Sequence, residues 1–422
     1  MLKLDQMKRI FYLIGYNTFV QILGKIVSTI LGFISVGLLT RYLGQEGFGN
    51  YSLTFAYLSI FGILADFGLQ LTMVRELAKK TQQTRSIYGT YFWLKIILLV
   101  FSTLLAYFFL LFLPYSKFLK IAIIIASLGV GVGVLNNYGM VIFQANLRLD
   151  LLTFVDVLIK IVTITFIAVL VLLKRDFYSI LNTILIGNLV GSLLIIILLK
   201  KFITFNFQFD YNLAKKIIYK SLPIGLITIL SLLYFKIDTL ILSIFKAPSE
   251  IGIYSLAYKV LENILVLWGY YLATVYPLLA SLVKKQEEKF WEIWRRSNII
   301  AVEFGLILIV SGYVFAPLLI RILGGKGFEE SVLALRILLF SVPLFFINNL
   351  FYHLFLVKER IKELLATIAS SLILNFILNI IFIPKWGYIA AAFNTLLTEG
   401  YVLTGYFFIF QTLRIKEKWL LT

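Results

Sequence analysis

The chain contains no cysteine and, among 422 residues, a single histidine, His353. The first absence excludes disulfides, thiolate nucleophiles and cysteine-bound metal. The second leaves little from which to build a zinc site, so His353, remote from other ligand types, reads as structural. Charge is scarce too, at 14% of residues, where a soluble domain carries about a quarter. A soluble globular enzyme is thereby excluded. Prolines number seven, with Pro114 alone in the first half. Pro277 and Pro343 fall inside apolar runs that they should kink, so the second half is expected to bend more.

Apolar sequence fills the chain instead: 61% of residues, with a mean hydropathy of +0.95. Runs of about 20 apolar residues, enough for a helix to cross a bilayer, recur throughout, and such runs must be helical for the backbone to be satisfied in lipid. The expected fold class is an all-α polytopic membrane protein of about 12 transmembrane helices. They fall near residues 11–39, 51–74, 88–113, 118–143, 151–173, 178–199, 217–244, 254–282, 297–320, 332–356, 364–383 and 388–411. The start has a basic flank, but its apolar run is too long for a cleaved signal and reads as the first span. Connections are short; the longest, 200–216, lies at the midpoint.

Of the 39 Lys and Arg, 24 fall in loops on the side of the N-terminus and nine in the opposite loops. The positive-inside rule then places both termini in the cytoplasm. The net charge of +18 reflects topology and anionic membrane lipid, and no nucleic-acid partner is expected.

Two phrases return along the chain. "GFGNYSL" at 47–53 is echoed by "EIGIYSL" at 250–256, and "NNYGMVIFQANLR" at 136–148 by "NNLFYHLFLVKER" at 348–360. The economical reading is a duplicated six-span unit, giving two pseudo-symmetric six-helix lobes, 1–205 and 206–422. Parallel repeats of this kind typify transporters with a midplane site at the lobe interface. "GFGNYSL" itself follows an apolar helix rather than a strand and lacks the Lys-Ser/Thr of a P-loop. It reads as a turn closing an outer hairpin, as does "ILGGKGF" at 322–328. "GVGVGV" at 129–134 reads as close helix approach or bending, and the acceptor pattern at Asn50 carries little weight.

Six cations (Lys25, Lys95, Lys160, Lys236, Lys259, Arg336) and six acids (Asp66, Asp156, Asp238, Glu262, Glu303, Glu399) fall inside spans. A charge near the bilayer centre costs about 2.5–3.5 kcal/mol or more, so each should face a partner or a watery cavity. Lys25 shares a helix face with Asn17 and Gln21, at i−8 and i−4, and is expected to line a cavity. Lys236 and Asp238 are two apart and point to different faces. Asp156 and Lys160, four apart, have the spacing of an intrahelical ion pair. Glu303, Glu399 and Asp66 are candidates for taking up a coupling ion. Lys95, Lys259, Glu262 and Arg336 lie nearer span ends and read as interfacial.

Three stretches resemble a known family. "RYLGQEGFGNYSLTFAYLSIFGILADFGLQLTMVRELAK" (41–79), "FKIDTLILSIFKAPSEIGIYSLAYKV" (235–260) and "IPKWGYIAAAFNTLLTEG" (383–400) are similar to segments of bacterial polysaccharide transporters and O-antigen flippases. These belong to the multidrug/oligosaccharidyl-lipid/polysaccharide exporter superfamily. The resemblance implies a transporter, not an enzyme, in a bacterial or archaeal cytoplasmic membrane, whose two lobes open alternately to each side. Its cargo would be a polyprenyl-pyrophosphate-linked oligosaccharide, with membrane lipids, a polysaccharide polymerase and other assembly proteins as partners. Lys25 and Lys236 are then placed to meet the pyrophosphate, Asp238 is the acid of the family's "ID" pair, and Arg41 and Arg75 could guide the head group at exit and entry. No cofactor is expected beyond coupling to a proton or sodium gradient, and the cation site of the drug-extruding relatives is not recognisable. A multidrug or organic-cation exporter is the alternative within transport. A membrane-embedded polymerase or glycosyltransferase is the alternative outside it, disfavoured by outer loops of a dozen residues or fewer.

Overall fold

The computed structural model describes residues 2–78, 84–203, 208–283 and 286–419. Lys79, Lys80, Lys284 and Lys285 lie outside the described residues, as do the side chains of Lys3, Lys8, Arg9, Arg85, Arg414, Lys416 and Lys418. All regular structure among the described residues is helical: α1 (Leu2–Asp66), α2 (Leu69–Ala78), α3 (Thr84–Phe112), α4 (Lys117–Ala145), α5 (Leu149–Leu172), α6 (Phe177–Leu199), α7 (Tyr211–Phe245), α8 (Pro248–Leu282), α9 (Glu287–Gly324), α10 (Ser331–Leu339), α11 (Val342–Val357) and α12 (Ile361–Trp419).

Nine of the described helices are long and apolar enough to cross a membrane, or ten if α10 and α11, bent by 45°, form one span. Two of these are too long for one crossing. Gly15–Leu77 runs for 63 residues and Ile361–Thr412 for 52, which at 1.5 Å per residue is roughly two to three times a ~30 Å hydrocarbon core. Inside α1 and inside α12 one glycine has non-helical backbone, Gly44 (φ 66°, ψ −174°) and Gly387 (φ 56°, ψ −134°). That positive φ suits glycine and strains any L side chain. Divided at these points, the ten spans become the twelve expected from the sequence.

The helix ends follow local chemistry. Asp176 caps α6 by accepting from the Tyr178 amide at 3.1 Å and the Ser179 hydroxyl at 2.5 Å, and these donors hold its carboxyl below the usual range. Pro248 starts α8, where its missing N–H costs nothing. Pro343 opens α11 immediately after the bend, while Pro223, Pro277, Pro317 and Pro384 sit within helices.

The chain forms two compact units, Met1–Tyr42 with Thr54–Leu232, and Leu43–Leu53 with Leu233–Thr422. The sequence reading divides the lobes at 205/206; the structure carries the first unit on through Leu232, inside α7, and assigns 43–53 to the second. In the first unit, glycines let helices approach one another closely. A Cβ at Gly139 would collide with Ile195, and one at Gly187 with Thr163, the small-residue packing that membrane helices favour. Gly129 and Gly133 of "GVGVGV" likewise face Leu185 and Asn188 on α6. The core there includes Leu69, Met73, Tyr91, Ile142 and Phe143. In the second unit it is aromatic, with Phe290, Phe351, Phe355 and Tyr406 together.

"GFGNYSL" is helical, not a turn. Gly44 alone makes the break, and the helix resumes at once. The phrase packs inside the second unit against its own echo: a Cβ at Gly49 would strike the Pro248 carbonyl, and one at Gly252 the Gln45 carbonyl. Phe48 packs edge-on against Phe328 at 6.0 Å, and the Gln45 amide donates to the Gly327 carbonyl. Asn50 is buried, which removes it as a glycan acceptor. "ILGGKGF" does form a turn, through Gly325 and Gly327 with positive φ.

Candidate functional site

The second unit holds a buried polar network assembled from stripes four residues apart, so that each helix directs one face inward. From α7 come Tyr234 and Asp238, from α8 Tyr254, Tyr258 and Glu262, and from α12 Asn375, Asn379, Asn394, Thr395 and Glu399. Asp238, 2% exposed, accepts from the Tyr254 hydroxyl (2.9 Å), the Thr395 hydroxyl (2.9 Å) and the Asn379 amide (2.5 Å). Asn379 also donates to Asn375 (2.7 Å) and accepts from Asn394 (2.9 Å). One helical turn along α12, Glu399, also 2% exposed, accepts from Tyr234 (2.5 Å) and Asn348 (2.7 Å).

Among the described residues, every hydrogen-bond partner of these two carboxylates is neutral. Burying an ion without a counter-charge is expensive, so such a group is stabilised by binding a proton or a metal cation. The oxygens of Asp238, Tyr254, Thr395 and Asn379 are of the hard type that alkali and alkaline-earth cations prefer. No cluster of three or more His, Cys, Asp or Glu occurs among the described residues, so a metal here would rely on neutral oxygens.

Lys236, on another face of α7, pairs with Glu262 at 2.7 Å; Lys259 joins the same carboxylate at 3.0 Å. The Lys236 ammonium lies 5.8 Å from the Tyr258 ring and stays 24% exposed. A partly exposed cation at mid-helix can exchange its internal partner for an anionic ligand.

In the first unit, two of the intramembrane acids, Asp66 and Asp156, are paired with lysines. Lys95 is fully buried against Asp66. This corrects the interfacial reading of Lys95: its depth on α3 is tolerable because the Asp66 carboxylate meets it. Asp156 and Lys160 lie 2.9 Å apart, and Ser28 donates to Asp156 at 3.0 Å. Asn17 is buried and donates to the Leu147 carbonyl at 2.9 Å, so it serves helix packing, while Gln21 and Lys25 on the same helix are exposed. Arg41, Arg75 and Glu303 are also exposed. Lys259 is exposed, and Arg336 stacks 4.3 Å from the Tyr313 ring. His353 donates from Nδ1 to the Asn349 carbonyl (2.7 Å) and packs edge-on to Tyr276, a structural placement.

The structure thus places Asp238 and Glu399 in two neighbouring hydrogen-bonded groups of one polar cluster and pairs Lys236 with Glu262. Sequence reasoning missed Tyr234, Tyr254, Asn375, Asn379, Asn394 and Thr395. The available signal was the four-residue spacing of Asn375 and Asn379, and of Thr395 and Glu399, inside apolar helices.

The fold is shared with solved transporters. A multidrug resistance MATE family transporter of the MOP superfamily, in an inward-facing conformation, superposes with a TM-score of 0.77 at 16% identity, over 93% of this chain and 96% of that one. The lipid II flippase MurJ, inward closed, gives 0.74 at 17%, over 92% and 87%. A MOP superfamily transporter from Pyrococcus furiosus gives 0.65 at 15%, over 96% and 95%. The protein is therefore a multi-pass helical membrane protein with the fold that these MATE and MurJ transporters share. Within that fold class it belongs to the polysaccharide biosynthesis protein family, whose model matches residues 14–283. A MatE model also matches residues 223–381. Among curated proteins none matches the sequence.

Proposed function

We propose that this protein flips a polyprenyl-pyrophosphate-linked oligosaccharide across the cytoplasmic membrane for surface polysaccharide synthesis, by alternating access driven by a proton or sodium gradient. The observation that carries this reading is the joining of a polysaccharide-biosynthesis family match with a fold shared by a lipid II flippase. In the second unit Lys236 is the cation offered to the pyrophosphate, released from Glu262 as the anion replaces it. In the first unit Lys25 is the exposed intramembrane cation available to the same group. Asp238 and Glu399 take the coupling proton or cation, because they are buried carboxylates with neutral neighbours. Both termini face the cytoplasm, and a polysaccharide polymerase and other assembly proteins are the expected partners.

The test is complementation of a flippase-deficient bacterial strain, with surface glycan as the readout. Restored glycan, lost in Lys236→Ala at normal membrane levels, supports the reading. Failure to restore glycan together with export of cationic dyes from the same cells would move the assignment to a multidrug exporter, the reading favoured by the MatE match. In proteoliposomes, transport indifferent to both proton and sodium gradients would remove the coupling role of Asp238 and Glu399.

A further inference from the structure

A crevice of about 630 Å³ opens in the first unit between α3, α4 and α6, within the range of about 300–1,000 Å³ typical of ligand pockets. The surface it offers is chiefly apolar, with Phe92, Leu135, Ile195 and Leu199 in its walls, and the buried Lys95 and Asn136 also line it. Lys200, the residue that ends α6, lies at one end of it. Ser192, two turns back along α6, lines it further in; eight residues of helix span about 12 Å, close to the depth of one leaflet of a ~30 Å hydrocarbon core. Lys200 and Lys201 are both exposed. Nearby, the Arg148 guanidinium lies 5.9 Å from the Phe202 ring. The crevice therefore has an apolar barrel one leaflet deep and a cationic rim.

We propose that this crevice holds one acyl chain of an anionic phospholipid from the surrounding bilayer, with its phosphate against Lys200 and Lys201. The occupant follows from three facts of the site. Hydrocarbon chains are the apolar ligand that a membrane-embedded wall meets, the depth matches one leaflet, and the rim charge is complementary to an anionic head group. Basic pockets at the ends of transmembrane helices recognise lipid head groups in this way. The site is distinct from the polar network of the second unit and does not depend on the cargo assigned above.

The experiment is native mass spectrometry of the full chain, released from mixed micelles holding equal amounts of phosphatidylglycerol and phosphatidylcholine. Each lysine near a membrane surface adds about fivefold to anionic-lipid affinity, so two should give a preference on the order of twentyfold for a single retained phosphatidylglycerol. Lys200→Gln/Lys201→Gln, a surface change, should bring the preference close to one. Leu135→Trp, which fills the crevice and leaves the lysines in place, should abolish retention. Lys117→Gln/Lys120→Gln at the opposite end of the unit should change nothing. Equal retention of the two lipids by the unaltered chain overturns the proposal. So does full retention in Leu135→Trp, which would reduce the site to a basic surface with no chain-binding crevice.

Discussion

An intramembrane carboxylate can be neutralised by a neighbouring cation, by a proton or by a bound metal ion, and the side chains around it select among these. Asp66, Asp156 and Glu262 each have a lysine within salt-bridge distance, whereas Asp238 and Glu399 are met by hydroxyls and amides. Asp238→Asn keeps the shape and most hydrogen bonds but cannot release a proton or neutralise a cation. Gradient-stimulated transport should fall at least tenfold, a loss of about 1.4 kcal/mol or more, while the melting temperature measured in detergent stays close to that of the unaltered protein. Lys95→Ala should act in the opposite sense. It leaves the partly buried Asp66 without its cation, and breaking a fully buried pair sets an upper bound of about 3–5 kcal/mol on the loss. The combined Lys95→Met/Asp66→Leu variant should recover most of that loss in a thermal unfolding assay. These contrasts were partly legible in the sequence, since intramembrane charge marks a site by its cost. Which charge was paired was not, because Lys95 and Asp66 are 29 residues apart and meet only through packing.

At the scale of elements, the two echoed phrases have the same local structure and use. Asn136 of α4 donates to the Asn188 carbonyl of α6 at 2.9 Å, and Asn348 of α11 donates to the Glu399 carbonyl of α12 at 3.0 Å. The same bond recurs in each unit, but the position that is neutral Asn188 in the first is acidic Glu399 in the second. The repeat therefore preserves packing while the charge at its centre diverges. Asn136→Ala and Asn348→Ala should each destabilise by about 1–3 kcal/mol, the cost of an unsatisfied buried group, and only Asn348→Ala should also disturb gradient coupling through Glu399. A second expectation concerns the glycine pair. Gly49→Val or Gly252→Val drives a side chain into a facing carbonyl and should lower the yield of folded protein in size-exclusion chromatography, whereas Gly32→Val, which meets open space, should not. The sequence marked these glycines as a repeat. It misread their setting as a turn, because the one break needed is made at Gly44 and a helix can restart immediately after it.

At the scale of the whole molecule, the charge bias of the loops predicts a topology that a cysteine-free chain makes simple to measure. Helix α9 has Lys289 near its start and Lys326 just past its end, both exposed. In intact cells Lys326→Cys should react with a membrane-impermeant maleimide and Lys289→Cys should react only after permeabilisation. The reverse pattern would place the termini outside.

Composition and run length by themselves determined that this chain is a set of membrane-spanning helices and roughly how many spans it has. These follow from solvation, which acts residue by residue: a helix of about 20 apolar residues is stable in lipid wherever its neighbours lie. Tertiary structure alone decided which polar groups meet. Asp238 gathers partners from residues 254, 379 and 395, and Lys95 finds Asp66 across a helix boundary. Contacts of that kind depend on how helix faces rotate against one another, a choice set by glycine clearances and side-chain volume that no local pattern encodes.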